Sequence, residues 1–170
     1  MKSKNLALIT GASSGIGEAL SRELVQRGWS VIGMARSQNK LAAIQKELGD
    51  SFVPIVCDIS QKSEIERASS EILEKEMCPT HFFLNAGIAG EKLIENPQAF
   101  DLSMHEKIMA VNYCFGVLSF VEFWEKYAQN NGGANFIVTS SINAIFAPFK
   151  GSNFSFETSY RLDRRPHFQG

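Results

Sequence analysis

The chain lacks several features that mark other classes of protein. No run of apolar residues reaches the eighteen or so that are needed to cross a bilayer, so we expect no membrane span. The formal charge is −1, with no excess of basic residues, which argues against a nucleic-acid-binding surface. A short basic start at residues 1–4 leads into an apolar stretch that is too short for a signal peptide.

Cysteine and histidine are also scarce, and neither forms a pattern. The six residues lie apart along the chain: Cys57, Cys78, Cys114, His81, His105 and His167. None of the spacings is typical of a metal site, so we predict no bound metal. Three cysteines are an odd number beside apolar segments, which favours reduced thiols and a cytoplasmic protein.

Glycine is concentrated where it is most informative, directly behind the first apolar segment. The eight residues read Thr10-Gly11-Ala12-Ser13-Ser14-Gly15-Ile16-Gly17. A strand that enters a glycine-rich turn and then a helix is suited to hold a pyrophosphate at the helix N-terminus. We expect Gly11 to allow the tight turn, Gly15 to let the backbone approach the phosphates, and Gly17 to bring helix and strand together. The alternative is an ordinary turn with a helix cap.

Apolar patterns alternate between strand-like and helix-like along the chain. We predict strands at 6–9, 30–35, 52–57, 81–85 and 135–139, and helices at 18–26, 39–48, 61–76 and roughly 99–130. This alternation predicts right-handed crossovers and a parallel sheet in an α/β protein. Aromatic residues in the last helix share one face, which favours a helix packed on the sheet: Phe120, Phe123, Trp124 and Tyr127.

Four further motifs follow in order. They are Asp58-Ile59 after the third strand, Asn85-Ala86-Gly87 after the fourth, Asn112 in the last helix, and Ser141 after the fifth strand. Together with the glycine segment they resemble the classical short-chain dehydrogenase/reductase family over roughly residues 4 to 150. The resemblance implies a Rossmann-like, doubly wound parallel sheet with helices on both faces, and a dinucleotide-binding domain at 1–150.

The resemblance also implies roles for individual residues. The glycine segment, Asp58-Ile59 and Asn85-Ala86-Gly87 would bind a nicotinamide dinucleotide, with Asp58 at the adenine. Ser141 would orient the oxygen of a carbonyl or alcohol substrate, and Asn112 would support a water-mediated proton relay. Ser140 is a neighbouring alternative, although the Ser-x-x-Ala stretch favours Ser141.

Cofactor preference can be argued from the end of the second strand. An acidic residue there favours NAD, whereas a basic residue pairs with the 2′-phosphate of NADP. Here Ala35 is followed by Arg36, which predicts NADP over NAD because a guanidinium pairs well with phosphate. Alternatively, Arg36 is a solvated loop charge.

The sequence departs from the family after about residue 150. The family has a Tyr-x-x-x-Lys pair about a dozen residues after its serine, whereas the last tyrosine here is Tyr160, followed by Arg164. We expect neither residue to approach Ser141, and arginine replaces this lysine poorly. We therefore expect a fold truncated after about five strands, with a divergent and poorly ordered tail at 151–170. A frameshift or early stop, an evolved short form and a cloning artefact all remain open.

Two functions follow from this sequence. The first is an NADP(H)-linked oxidoreductase whose turnover is impaired by the missing pair. The second is a non-catalytic dinucleotide-binding or interaction module, or the product of a broken reading frame. If the sheet ends after the fifth strand, its open edge and the aromatic helix favour self-association into a homo-oligomer, or else instability of the chain.

Overall fold

The computed structural model of the chain describes residues 5–88 and 102–139. These residues include five strands: β1 Leu6–Thr10, β2 Ser30–Ala35, β3 Phe52–Val56, β4 His81–Leu84 and β5 Asn135–Val138. Five α-helices are described: α1 Gly15–Gln26, α2 Gln38–Leu48, α3 Lys62–Glu74, α4 Leu102–Met109 and α5 Phe120–Asn130. A 3₁₀ turn at Gly49–Ser51 precedes β3, and a π-helical segment at Ala110–Ser119 joins α4 to α5.

The strands form one parallel sheet in the order β3-β2-β1-β4-β5. After β1 the chain moves outward through β2 and β3, and then returns to the other side of β1 for β4 and β5. This confirms the predicted Rossmann-like, doubly wound arrangement. The order reverses between β1 and β4, and the crevice at the carboxyl ends of such strands is where ligands bind in open α/β sheets.

The core has one layer on each face of the sheet. Leu8 and its neighbours pack against α3 and α5, whereas Ile9 packs against α1 and α2. Successive residues of a strand point to opposite faces, so β1 is buried on both sides and reads as continuous apolar sequence. Buried Trp124 also donates from Nε1 to the hydroxyl oxygen of Ser69 at 3.1 Å, which joins α5 to α3.

The predicted helix at 99–130 contains a feature that its sequence does not reveal. Within Ala110–Ser119 the backbone adopts π-helical hydrogen bonding, and the Ser119 hydroxyl donates to the carbonyl of Cys114, five residues earlier. The aromatic face is confirmed as core, because Phe120 and Trp124 are fully buried. By length and composition, Glu106–Asn130 would also qualify as a membrane span, with a mean hydropathy of 1.2, but its largest aromatic side chain lies in the protein core.

Element boundaries differ from the predictions by at most three residues where they can be compared, and those of β2 agree at both ends. Helix α1 begins at Gly15 rather than at residue 18, and α3 ends at Glu74 because the chain turns at Glu76, which has a φ of +53°. The predicted tail at 151–170, with Tyr160 and Arg164, lies outside the described residues.

Candidate functional site

A cavity of about 820 Å³ opens at the carboxyl edge of the sheet. Its walls come from the segments that follow β1, β2, β3 and β4, together with α4 and the start of the π-helical segment. This volume lies in the range of sites that hold small molecules and cofactors. The cavity therefore occupies the place that the strand order predicts for a ligand.

The glycines of the first turn have the geometry that we expected of them. Gly11 has a φ of +70° and Gly15 a φ of +56°, a backbone conformation that favours glycine. A Cβ atom on Gly17 would lie 2.4 Å from the carbonyl oxygen of Gly11, so only glycine lets α1 approach the turn this closely. The backbone explains why glycine occupies each of these three positions.

The N-terminus of α1 is suited to an anion. The first N–H groups of a helix have no partner within it and carry a partial positive charge. The side chain of Ser14 occupies the N-cap position but accepts no hydrogen bond from the helix. A Cβ atom on Gly15 would meet nothing within 4 Å, so a phosphate could approach this backbone. The residues present therefore fit the pyrophosphate of a dinucleotide.

Thr10 connects the turn after β1 to the turn after β4. Its buried hydroxyl oxygen accepts hydrogen bonds from the backbone N–H groups of Asn85 and Ala86, each at 3.0 Å. The side-chain oxygen of Asn85 in turn accepts a hydrogen bond from Thr139 at 3.0 Å. The ends of β1, β4 and β5 are thus held together around the point where the strand order reverses.

Asn112 holds the segment after β4 against the π-helical segment. Its Oδ1 accepts the N–H of Ile88 at 2.8 Å, and its Nδ2 donates to the carbonyl of Ile88 at 3.0 Å. A Cβ atom on Gly87 would lie 3.2 Å from Oδ1 of Asn112. Both polar ends of this amide therefore bind the backbone of Ile88, which fixes the position of the Asn112 side chain beside the segment after β4.

Asp58 is held in place from two sides. Its Oδ1 accepts the backbone N–H of Ser60 at 2.9 Å, and its own backbone N–H donates to Oε2 of Glu64 at 2.7 Å. Within residues 5–88 and 102–139 neither of these contacts engages Oδ2, so this oxygen can accept a hydrogen bond from a ligand. This suits a carboxylate that recognises an amino group on a ligand.

Among the described residues that line the cavity, positive charges outnumber negative ones. These residues include Arg36, Lys40 and Lys107, and one carboxylate, that of Asp58. Cys57 also lines it, but burial, followed by the nearby charges of Glu64 and Asp58, raises the pKa of its thiol to about 12. The thiol stays protonated at neutral pH, so it is not a nucleophile. The electrostatics favour an anionic ligand bound without covalent chemistry by cysteine.

The structure brings most of the predicted site residues together. Nine of them line the cavity: Gly11, Ser13, Ser14, Arg36, Asp58, Ile59, Asn85, Ala86 and Gly87. Five others are not among the residues that line it: Thr10, Gly15, Ile16, Gly17 and Asn112. The predicted Ser141 and its alternative Ser140 lie outside the described residues.

Sequence reasoning missed several residues that line the cavity. Ser37 and Lys40 follow Arg36, and their position after the second strand could have indicated them. Ser60 and Ile88 directly follow motifs that were recognised. Lys107 had no such signal, because only the path of α4 across the sheet edge brings it to the cavity.

Comparison with known proteins extends these observations. A family model for short chain dehydrogenases matches residues 5–155. An "NADPH-dependent pterin aldehyde reductase" of Arabidopsis thaliana is 45% identical over 82 residues, which cover 47% of this chain and 34% of the relative. A "Probable NADP-dependent dehydrogenase" of Haemophilus influenzae is 28% identical over 171 residues, which cover 96% of this chain and 66% of the relative.

A solved structure shares the fold. The alcohol dehydrogenase of the archaeon Thermococcus sibiricus, complexed with 5-hydroxy-NADP, superposes with a TM-score of 0.72 at 29% identity. The match covers 86% of this chain and 63% of that one. The chain thus spans about two thirds or less of the length of these three proteins.

Proposed function

The chain belongs to the short chain dehydrogenase family, and on that premise we propose that it binds NADP(H) at the carboxyl edge of its sheet and acts as an oxidoreductase on a carbonyl or alcohol substrate. The observation that carries the proposal is the continuous cavity that joins the glycine turn after β1 to the segments after β2, β3 and β4. A dinucleotide is long enough to need all four of these segments at once.

Each segment has a chemical role in this proposal. The open N-terminus of α1 holds the pyrophosphate through backbone N–H groups, with Ser13 and Ser14 beside it. Asp58 and Ile59 border the adenine, which has an amino group for the carboxylate and flat faces for the apolar side chain. Asn85, Ala86 and Gly87 line the part of the cavity toward β4, where the nicotinamide half extends.

A preference for NADP over NAD rests on charge. Strand β2 ends at Ala35, so no carboxylate stands there to accept hydrogen bonds from the ribose hydroxyl. The exposed guanidinium of Arg36 follows and faces the cavity, where it can pair with a 2′-phosphate. Two relatives whose names include NADP or NADPH support the same choice.

Bound NADP(H) supplies a hydride acceptor or donor. We propose that Ser141 orients the substrate oxygen and that Asn112 supports the site by holding the backbone at Ile88 in position. No tyrosine of this chain is followed by a lysine four positions later. Because a positioned acid–base group contributes about 10²- to 10⁴-fold to rate, we expect turnover by this chain to be reduced by at least that order.

The cavity, taken together with the missing catalytic pair, favours a second candidate function. Without the Tyr-x-x-x-Lys pair, the chain would be a non-catalytic module that binds the dinucleotide and does not turn it over. The two functions share the cavity and differ only in chemistry.

A calorimetric titration with NADPH and, in parallel, NADH tests the binding proposal. We expect NADPH to bind more tightly than NADH, and Arg36→Ala to remove that difference without unfolding the chain. A folded chain that binds neither cofactor would contradict the proposal. NADPH oxidation with a panel of aldehydes and ketones then separates the two candidate functions. Turnover by the wild-type chain that falls in the Ser141→Ala variant supports the oxidoreductase. An absence of turnover supports the non-catalytic module.

We also propose a homo-oligomer in the cytoplasm. Strand β5 lies at one end of the described sheet, and Leu118 and Ile137 are exposed apolar side chains on the described surface. Exposed apolar area of this kind favours association. Light scattering coupled to gel filtration gives the mass in solution, and a strictly monomeric chain at all concentrations would contradict the oligomer.

A further inference from the structure

The π-helical segment Ala110–Ser119 connects the cavity to the protein core. Its upstream end carries Val111, which lines the cavity, and Asn112, which binds the backbone of Ile88. Its downstream end leads into the buried aromatic residues of α5. We propose that Gly116 is a positioning residue: it permits the i→i+5 turn of this segment, and that turn directs Val111 and Asn112 toward the cavity. The part of this inference that concerns cofactor affinity rests on the proposed function.

The backbone at Gly116 lies against another part of its own helix. A Cβ atom there would overlap the carbonyl oxygen of Val111, five residues earlier, and would lie 3.4 Å from Cδ1 of Ile59. Because that carbonyl belongs to the helix backbone, it cannot turn aside as the end of a flexible side chain can. An alanine at this position is therefore incompatible with the observed turn, although alanine is the residue that a regular α-helix tolerates best.

Two further features of the segment follow the same spacing of five residues. Val111 and Gly116 are both buried, although positions five apart lie about 140° apart around a regular α-helix. Ser119 is also buried, and its hydroxyl donates to the carbonyl oxygen of Cys114, five residues earlier, at 3.3 Å. Burial and side-chain bonding thus both support the i→i+5 geometry.

The geometry of the segment determines which way its upstream half faces. Phe120 and Trp124 are fully buried, so the helix that follows the segment is fixed in the core. Each residue turns a regular α-helix by about 100°, and an i→i+5 turn holds one residue more than an α-helical turn. Conversion of the segment to α-helix would therefore rotate Val111 and Asn112 by about that angle. Asn112 would leave the backbone of Ile88, and Val111 would leave the cavity wall.

Three residues of the cavity wall depend on this segment. Ile59 lies against Gly116, Val111 belongs to the segment, and Ile88 is held by Asn112. In the proposed function Ile59 borders the adenine, which NADPH and NADH share. A rotated segment should therefore weaken the binding of both cofactors alike, whereas loss of a contact to the 2′-phosphate would weaken NADPH alone.

Amide exchange of the chain without cofactor tests the geometry of the segment. The backbone N–H of Ile88 donates to Oδ1 of Asn112 at 2.8 Å, so its exchange with solvent reports this contact. Gly116→Ala should speed that exchange about fivefold or more, the scale of one lost hydrogen bond. Asn112→Ala, which removes the acceptor, should have the same effect. The matched control is Cys114→Ala, which places an alanine at an exposed position of the same segment and should leave the exchange unchanged.

Calorimetry with the folded variants measures the effect on cofactor binding. We expect Gly116→Ala to weaken NADPH and NADH by the same factor, about tenfold, the scale of one or two lost contacts. Its melting temperature should stay near that of the wild type, because alanine favours a regular helix more than glycine does. Cys114→Ala should bind both cofactors like the wild type. A loss of affinity without a loss of stability distinguishes positioning from a general structural defect.

The outcomes separate this inference from the proposed function. Unchanged exchange at Ile88 in Gly116→Ala would overturn the inference at any cofactor affinity. Faster exchange with unchanged affinities would also overturn it, because the segment would then not position the cavity wall. Faster exchange in a chain whose folded wild type binds neither cofactor would support the role of Gly116 in the turn and contradict the proposed function.

A second variant covers the case in which Gly116→Ala does not fold. Ser119→Ala removes the hydroxyl contact to the carbonyl of Cys114 and so weakens the i→i+5 geometry without adding atoms. It should speed the exchange at Ile88 and weaken both cofactors in the same direction, by smaller factors. A Ser119→Ala chain that matches the wild type in both measurements would contradict the inference.

Discussion

At the scale of single residues, the site depends on groups that face protein rather than ligand. The hydroxyl of Thr10 is fully buried and accepts two backbone N–H groups, from Asn85 and Ala86. The turn after β4 would otherwise have two donors without a protein partner. A motif residue that looks like a ligand contact in the sequence is therefore a structural link in the folded chain.

This link gives a prediction for Thr10→Val, which keeps the shape of the side chain and removes its oxygen. Two donors lose their acceptor, so the free energy of unfolding should fall by about 1–3 kcal/mol. Thr10→Ser is the control, since it keeps the oxygen and should recover most of that loss. Urea unfolding followed by circular dichroism measures both, and equal stability of the valine and serine variants would contradict the assigned role.

Gly17 and Gly15 should respond to alanine in different ways. In Gly17→Ala the added methyl group would meet the backbone of Gly11 at 2.4 Å, which cannot move aside cheaply, so stability should fall by about 1–3 kcal/mol. In Gly15→Ala the methyl group enters open space, and the strain comes only from the positive φ of +56°. We expect this variant to lose mainly NADPH affinity, because the methyl group fills the approach to the helix N-terminus.

Unfolding and titration of the two variants separate these effects. A Gly17→Ala chain as stable as the wild type would mean that the turn and α1 are not as closely packed as described. Full NADPH affinity in Gly15→Ala would show that the phosphates do not approach this backbone.

At the scale of elements, the opposite edge of the sheet carries a pH-dependent contact. His81 begins β4, packs edge-on against Trp29 with ring centroids 4.9 Å apart, and lies within hydrogen-bond distance of Thr80 and Asn135. Asn135 Nδ2 is a donor, so the facing Nε2 accepts and the ring is neutral. Burial lowers the pKa of His81 below its ordinary value of 6.5.

The lowered pKa of His81 predicts that the folded chain loses stability in acid. Below about pH 6.5 the unfolded chain binds a proton at His81 that the folded chain resists, so folding stability is lost as the pH falls. His81→Phe keeps an aromatic ring beside Trp29 and removes the titration. Unfolding free energies at pH 7.5 and pH 5.5 should show a larger loss for the wild type than for this variant, and an equal loss would contradict the assignment.

Much of the element order was predictable from sequence, for identifiable reasons. Parallel strands buried on both faces read as short apolar runs, so β1 and β2 were found within a residue or two. The π-helical segment Ala110–Ser119 was not predictable, because its residues carry the same apolar periodicity as an α-helix. Lys107 was missed since only tertiary packing brings α4 to the cavity.

At the scale of the whole molecule, one point in the topology determines where function can lie. The strand order reverses between β1 and β4, and their carboxyl ends, linked through Thr10, form the middle of the cavity wall. The glycine turn, the basic segment after β2 and the acidic segment after β3 are far apart in sequence. They become one site because parallel strands end at the same edge. The order of the motifs in the sequence predicted that these segments come together. The size and charge of the cavity could be determined only from the structure.

Hydrogen–deuterium exchange of the full chain, with and without saturating NADPH, tests this account most directly. We expect simultaneous protection of backbone amides in 10–17, 36–40, 58–60 and 85–88, and no change in α5, which packs away from the cavity. Thr10→Val and Gly17→Ala should each reduce that protection. Protection confined to one of the four segments, or none in a folded chain, would contradict a single dinucleotide site at this edge of the sheet.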